Sequence, residues 1–221
     1  MNMLKSLLIF TPLWGMMRSM KKCIHICFLM LILVPAQALG QAGAWVQQGE
    51  ALRYNISWWG MTAGGAELRY LPENTLAAPK AGQSPYTLIS RTWNAPGIRG
   101  VFQMRDRIRI EGVHDMARSQ YFLPRKVNVR LNENDYRADK LVTYDLDTQI
   151  ASYINRRAPH EPAKEAEITD VTRDLFSALY ALRLTAKDVK PGKLYEMPMH
   201  NLDRTEMLRL KVIEKEKRDT I

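Results

Sequence analysis

From Gly49 onward, apolar and polar residues alternate with a period of two, and this constrains the fold more than any other feature. In an extended strand that period sends successive side chains to opposite faces, so one face packs and the other meets solvent. In LRYNISWW, Leu52, Tyr54, Ile56 and Trp58 share one face and Arg53, Asn55, Ser57 and Trp59 the other. Ala66, Leu68 and Tyr70 continue the rhythm, as do residues 86–93, 101–112, 126–133, YRADKLVTYD and QIASYIN. Residues 72–85 and 156–167, rich in Pro, Gly, Ala, Ser or charge, read as loops. One segment breaks the pattern. In residues 169–185, Val171, Leu175, Leu179 and Leu182 recur at helical spacing, with Thr169 or Asp170 placed to cap the start. Phe176, Tyr180 and Leu184 form a second apolar stripe, so this helix is expected to be covered on two sides. Strands at 193–199 and 204–217 follow. The expected fold is mainly β: a curved antiparallel sheet or incomplete barrel with one packed helix at about residues 170–184.

The N-terminus has a different character. Met20-Lys21-Lys22 opens an apolar run of about a dozen residues that stops at Pro35 and is followed by small residues, the pattern of a secretory signal. A membrane-spanning helix needs about 20 apolar residues, so no transmembrane span is expected in the mature chain. Residues 1–42 are read as a signal region with its start at Met20 and cleavage near 38–42. Residues 43–221 are read as one β-rich domain, cut short at its C-terminus because the chain stops just after a charged stretch. Both cysteines, Cys23 and Cys27, fall inside the signal, so no disulfide is expected in the mature product. The expected location is the periplasm.

Charge and motifs exclude several functions. The net charge of +9 includes four basic residues, and no acidic one, from residues 1–42. What remains is mildly basic with signs interspersed, and without a stacking motif it gives no case for nucleic acid. Gly60 and Gly65 have the spacing of a phosphate loop, but Ala66-Glu67 stand where Lys-Ser/Thr belong, and a strand follows. No nucleotide is expected; GMTAGGAE reads as a hairpin turn whose glycines take positive φ. Met197, Met199 and His200 alternate in direction, so they read as core residues, and no metal or other cofactor is expected. His114 and His160 read as turn residues, and Ser177 as a small packing residue on the helix. Asp106 shares a face with Met104, Ile108 and Ile110 and needs a partner there, for which an arginine such as Arg183 is the expected choice. Arg105, Arg107 and Arg109 form a basic row on the opposite face, which Arg125, Lys126 and Arg130 extend. Arg105, Arg107 and Arg109, with Trp59 and Asp106, are the candidate ligand-binding residues; no catalytic set is present.

Three stretches together resemble a known family. They are GEALRYNISWWGMTAGGAEL, FQMRDRIRIEG and DLFSALYALR, the last followed by Pro191-Gly192. Their order and spacing are similar to the bacterial exported family catalogued as domain of unknown function 3108. The resemblance implies an exported, mostly antiparallel β-protein with further strands after residue 221, and it brings no catalytic residues. The doubled Trp58-Trp59 departs from the family's single Trp-Gly. The expected role is therefore a non-enzymatic binder of an envelope lipid, glycan or protein partner. The alternatives are an envelope hydrolase using carboxylates such as Asp106, which needs two acids flanking the scissile bond, and an assembly partner that pairs through an open sheet edge.

Overall fold

The computed structural model describes residues 3–9, 49–58, 61–72, 82–98, 100, 102–115, 121–185 and 190–218. Eleven strands, one α-helix of three turns and a short 3-10 turn at Pro96–Ile98 make up the regular structure there. They are β1 (Met3–Ile9), β2 (Ala51–Trp58), β3 (Met61–Leu71), β4 (Gln83–Asn94), β5 (Arg105–Asp115), β6 (Tyr121–Glu133), β7 (Tyr136–Asp145), β8 (Ile150–Asn155), β9 (Lys164–Glu167), α1 (Leu175–Thr185), β10 (Leu194–Asn201) and β11 (Arg204–Arg218).

Strands β2 to β9 form one antiparallel sheet in sequence order. Among the described residues its two ends do not pair with each other, so the sheet they form does not close into a barrel. A second sheet runs β1-β11-β10. The chain divides into two compact units. One comprises residues 46–186 and 197–207; the other comprises 1–45, 187–196 and 208–221. In the smaller unit, Leu210 and Val212 are buried, Gly192 and Val212 are joined through their backbones, and Arg209 pairs with Glu196 at 2.7 Å.

The larger unit carries the core. Leu52, Leu68, Leu88, Ile110, Val127 and Val142 are buried along one face of the sheet, as the period of two predicts. Helix α1 lies on that inner face. Phe122, 1 % exposed, is the point where sheet and helix meet. Its ring centroid lies 4.7 Å from Tyr86, 5.9 Å from Tyr70, 5.1 Å from His114 and 5.4 Å from Tyr180 of α1. The three edge-on contacts, with Tyr70, Tyr86 and Tyr180, add about 0.5–1.5 kcal/mol each beyond simple burial. These rings fill the side of the sheet where an apolar ligand would sit in a barrel.

The helix begins later than its periodicity predicts, and its cap is neither Thr169 nor Asp170. Residues before it are drawn into other bonds: Thr169 N–H donates to Thr172 Oγ1 at 2.8 Å, and Arg173 bridges to β10 through Pro198 and His200. Asp174 caps α1 instead, accepting from the backbone N–H of Phe176 at 2.9 Å and of Ser177 at 3.2 Å. Phe176, Ala178, Tyr180, Ala181 and Leu182 are buried, whereas Leu175 and Leu179 are half-exposed. Phe176 and Tyr180 of the second stripe are thus buried more deeply than Leu175 and Leu179 of the first. Ser177 packs as expected, and its hydroxyl also bonds Asp174 and Tyr86.

Three further readings change. The loop expected at 156–167 ends in the short strand β9, whose Lys-Glu-Ala-Glu sequence blunts the sheet edge with charge. His114 belongs to β5, stacked on Phe122, rather than to a turn. Gly64 and Gly65 also lie inside a strand, and neither has positive φ. Their role is close approach: a Cβ on Gly64 would strike the backbone of Trp93 and Asn94, and one on Gly65 would lie 2.6 Å from the Trp93 ring. Strand pairing sets this demand, and the extra residue Ala63, which makes a bulge opposite Ile56 and Ser57, bends β3 at the same place.

Candidate functional site

Residues directly opposite one another on paired strands share a face, so strand register alone places the arginines. Arg91 of β4 lies opposite Arg107 of β5, and Arg107 lies opposite Arg130 of β6. The row continues outward to acids at each end: Arg91 faces Glu67, and Arg130 faces Asp139. Glu67 is bound by Arg53 at 2.9 Å and Arg69 at 3.0 Å. The Arg53 hydrogen bond holds its carboxyl below the usual range, against the opposing pull of burial. Asp139 is shared by Arg130 and Arg156, each at 3.5 Å. The acids are thus engaged at the flanks, and the centre of the row keeps its positive charge.

A second row lies two residues along the strands, where Trp93 faces Arg105 on β4 and β5. Asn132 stands at the matching position of β6, two beyond Arg130. Between the rows runs a groove of about 370 Å³ lined by Arg91, Trp93, Arg105, Arg107, Arg130 and Asn132, and bordered also by Thr92, Asp106 and Leu131, which alternate with them along the strands. Strand spacing makes it about 10 Å across three strands and about 7 Å between rows. Arg105 and Arg107 are exposed and have no ion pair among the described residues. Like charges directly opposite on neighbouring strands destabilise a sheet, and a bound anion would offset that cost. Trp93 lies against Gly65 and is 42 % exposed, an open aromatic surface opposite Arg105 and on the same strand face as Arg91.

The structure sorts the sequence candidates. Arg105 and Arg107 line the groove, and Arg130 extends the row as read. Arg109 shares the face but turns away to Glu111, which it holds at 2.8 Å. Arg125 is the extra residue of a bulge in β6, and Lys126 lies opposite Glu111, four residues from Arg130. Trp59 lies outside the described residues. Arg91, Trp93 and Asn132 were missed. The signal for Trp93 was present, since Ile89, Arg91 and Trp93 follow the same period of two; what the sequence lacked was the register that joins them to β5.

Asp106 points to the inner face, 7 % exposed, and its partner is not an arginine. It accepts the Asn132 backbone N–H at 2.9 Å and the Thr92 hydroxyl at 3.5 Å, and it bonds the Glu133 carboxyl. Arg183 pairs instead with Glu50, at 2.7 and 3.0 Å, while Tyr180 donates to the same carboxylate. The helix carries Arg183 to the strand-leading Glu50, away from β5. Burial, then the Asp106 charge, pushes Glu133 up to about 7. The folded protein therefore holds this proton more tightly than the unfolded chain. The pair contributes stability that is fully present at acid pH and is lost as pH rises toward and through 7. Glu133→Gln is expected to flatten that dependence: in urea titrations the wild type loses stability between about pH 5 and about pH 8 and the variant does not. Parallel profiles would contradict the assignment.

His200 is buried with both ring nitrogens engaged, by Thr205 at 3.1 Å and the Leu202 carbonyl at 2.7 Å; burial lowers its pKa. Met199 is buried and Met197 half-buried. Among the described residues, no three His, Cys, Asp or Glu side chains gather around a point that would hold a metal, and no helix is long and apolar enough to cross a membrane.

Comparison with known proteins adds one match. No curated protein and no solved structure matches the chain. The pattern of the family described as "Protein of unknown function (DUF3108)" matches residues 53–220, a span that takes in the groove, the aromatic core and helix α1. The chain belongs to this family, domain of unknown function 3108.

Proposed function

We propose that the protein is an exported, non-enzymatic binder of an anionic lipid or glycan of the cell envelope, and that the ligand sits on the outer face of the sheet. The single observation that carries this reading is the groove that Arg91, Arg105, Arg107 and Arg130 line from three adjacent strands. Guanidinium groups meet phosphate or carboxylate oxygens in pairs, and several of them within one Debye length reinforce each other's pull on an anion. Export is supported by the basic, apolar and small-residue order of residues 20–42, and with it a periplasmic location. The hydrolase alternative is less favoured: Asp106 and Glu133 touch, whereas hydrolysis between two carboxyls needs room for a bond and a nucleophile.

The test is native mass spectrometry of the protein purified from the envelope fraction. An anionic adduct is expected on the wild type and absent from the Arg105→Ala, Arg107→Ala double variant. Identical spectra from the two proteins would overturn the proposal.

A further inference from the structure

Building on that reading, we infer that the groove takes a phosphorylated saccharide, free or as the headgroup of a glycolipid, with the phosphate held by Arg105 and Arg107 and the sugar ring laid on Trp93. Three observations lead there. First, the centre of the arginine row is uncompensated. Glu67 is bound by Arg53 and Arg69, Asp139 is bound by Arg130 and Arg156, and Arg105 and Arg107 have no ion pair among the described residues. Forked guanidinium donors match the oxygens of a phosphate.

Second, the groove is too large for a bare anion. It spans three strands, about 10 Å, and is open to solvent, so a phosphate alone covers only part of it. A second moiety on the anion would cover the remaining length.

Third, that moiety meets an aromatic plane. Gly65 is the residue opposite Trp93 on β3, and any side chain there would displace the indole. The ring is thus seated against β3 while remaining 42 % exposed. A pyranose offers one face of C–H groups, which packs on an indole, and a rim of hydroxyls, for which Asn132 and the guanidinium groups supply partners. Nucleobases are served by more than one stacking surface or by edge-reading donors, and among the described residues this groove contributes a single ring.

The experiment is calorimetric titration of the full exported chain with a hexose monophosphate, the uncharged hexose, inorganic phosphate and adenosine monophosphate. Hexose monophosphate is expected to bind at least about tenfold more tightly than inorganic phosphate, and the uncharged hexose not at all. Trp93→Ala brings hexose monophosphate down to the level of phosphate, Trp93→Tyr largely restores it, and Arg107→Ala weakens both. Equal affinity for phosphate and hexose monophosphate, unaffected at Trp93, would overturn the saccharide while leaving an anion site; so would a preference for adenosine monophosphate. Failure of every anion to saturate the protein would remove both readings. Phosphatidylcholine vesicles containing lipid A or phosphatidylglycerol separate the sources. Selective capture by lipid A supports a glycolipid headgroup, and equal capture by both lipids rejects the sugar.

Discussion

Phe122→Ala is expected to destabilise the protein by about 3–5 kcal/mol, the largest effect of any single substitution in the sheet–helix contact. Phe122 is 1 % exposed and touches Tyr70, Tyr86, His114 and Tyr180, so truncation opens a cavity bordered by four rings at once. These partners come from β3, β4, β5 and α1, and they cannot all collapse inward without breaking strand register. The measurement is denaturant unfolding, with the midpoint falling at unchanged slope. A loss under about 1 kcal/mol would show that the site relaxes freely and that α1 is not seated by this ring.

Asp174 gives the second large effect, and it separates two roles of one carboxylate. Asp174 caps α1 through two backbone N–H groups and receives the Ser177 hydroxyl, which in turn bonds Tyr86 at 2.9 Å. Asp174→Ala removes the cap, worth about 0.5–2 kcal/mol, and strands the buried Ser177–Tyr86 pair, worth about 1–3 kcal/mol more. The two together predict a loss of roughly 2–4 kcal/mol. Burial also raises the pKa of Asp174, despite the hydrogen bonds that favour its charged form. That part of its contribution is present at low pH and lost as the pH rises through the folded-state value. Asp174→Asn keeps an accepting oxygen without the buried charge. It is therefore expected to retain most of the stability at neutral pH and to lose its advantage in acid. Thermal unfolding of both variants across pH checks this; equal losses for Asn and Ala would show that the charge itself is required.

Much of the sheet was legible because half-buried strands declare themselves by alternation. Leu52, Ile56, Leu68, Ile110 and Val142 are all inside, on the faces their parity assigns. Parity also put Asp106 inside and Arg105 and Arg107 outside. Pairing between strands was not legible, because register depends on bulges and turns that leave no periodic trace. Arg91 and Trp93 were therefore missed as neighbours of Arg107 and Arg105. Gly65 looked like a turn residue because its reason for being glycine, the indole of Trp93, lies 28 positions away along the chain. Asp106 was assigned the wrong kind of partner for a similar reason. Its acceptors are satisfied by a backbone N–H, a hydroxyl and a second carboxyl, none of which announces itself as the opposite charge would. The helix start moved to Asp174 because residues 169–173 bond to each other and to β10, a tertiary demand that overrides the apolar spacing.

The central claim is that one set of arginines on the outer face binds an anion. Its most direct test is a titration of the nitrogen-15-labelled protein with inorganic phosphate, following the arginine side-chain Nε–H signals by NMR. The Arg91, Arg105, Arg107 and Arg130 signals are expected to move together along one saturating curve, while Arg204 and Arg209, exposed but not part of the groove lining, stay in place. Uniform, non-saturating shifts across all exposed arginines, or none at the four groove positions, would contradict the account.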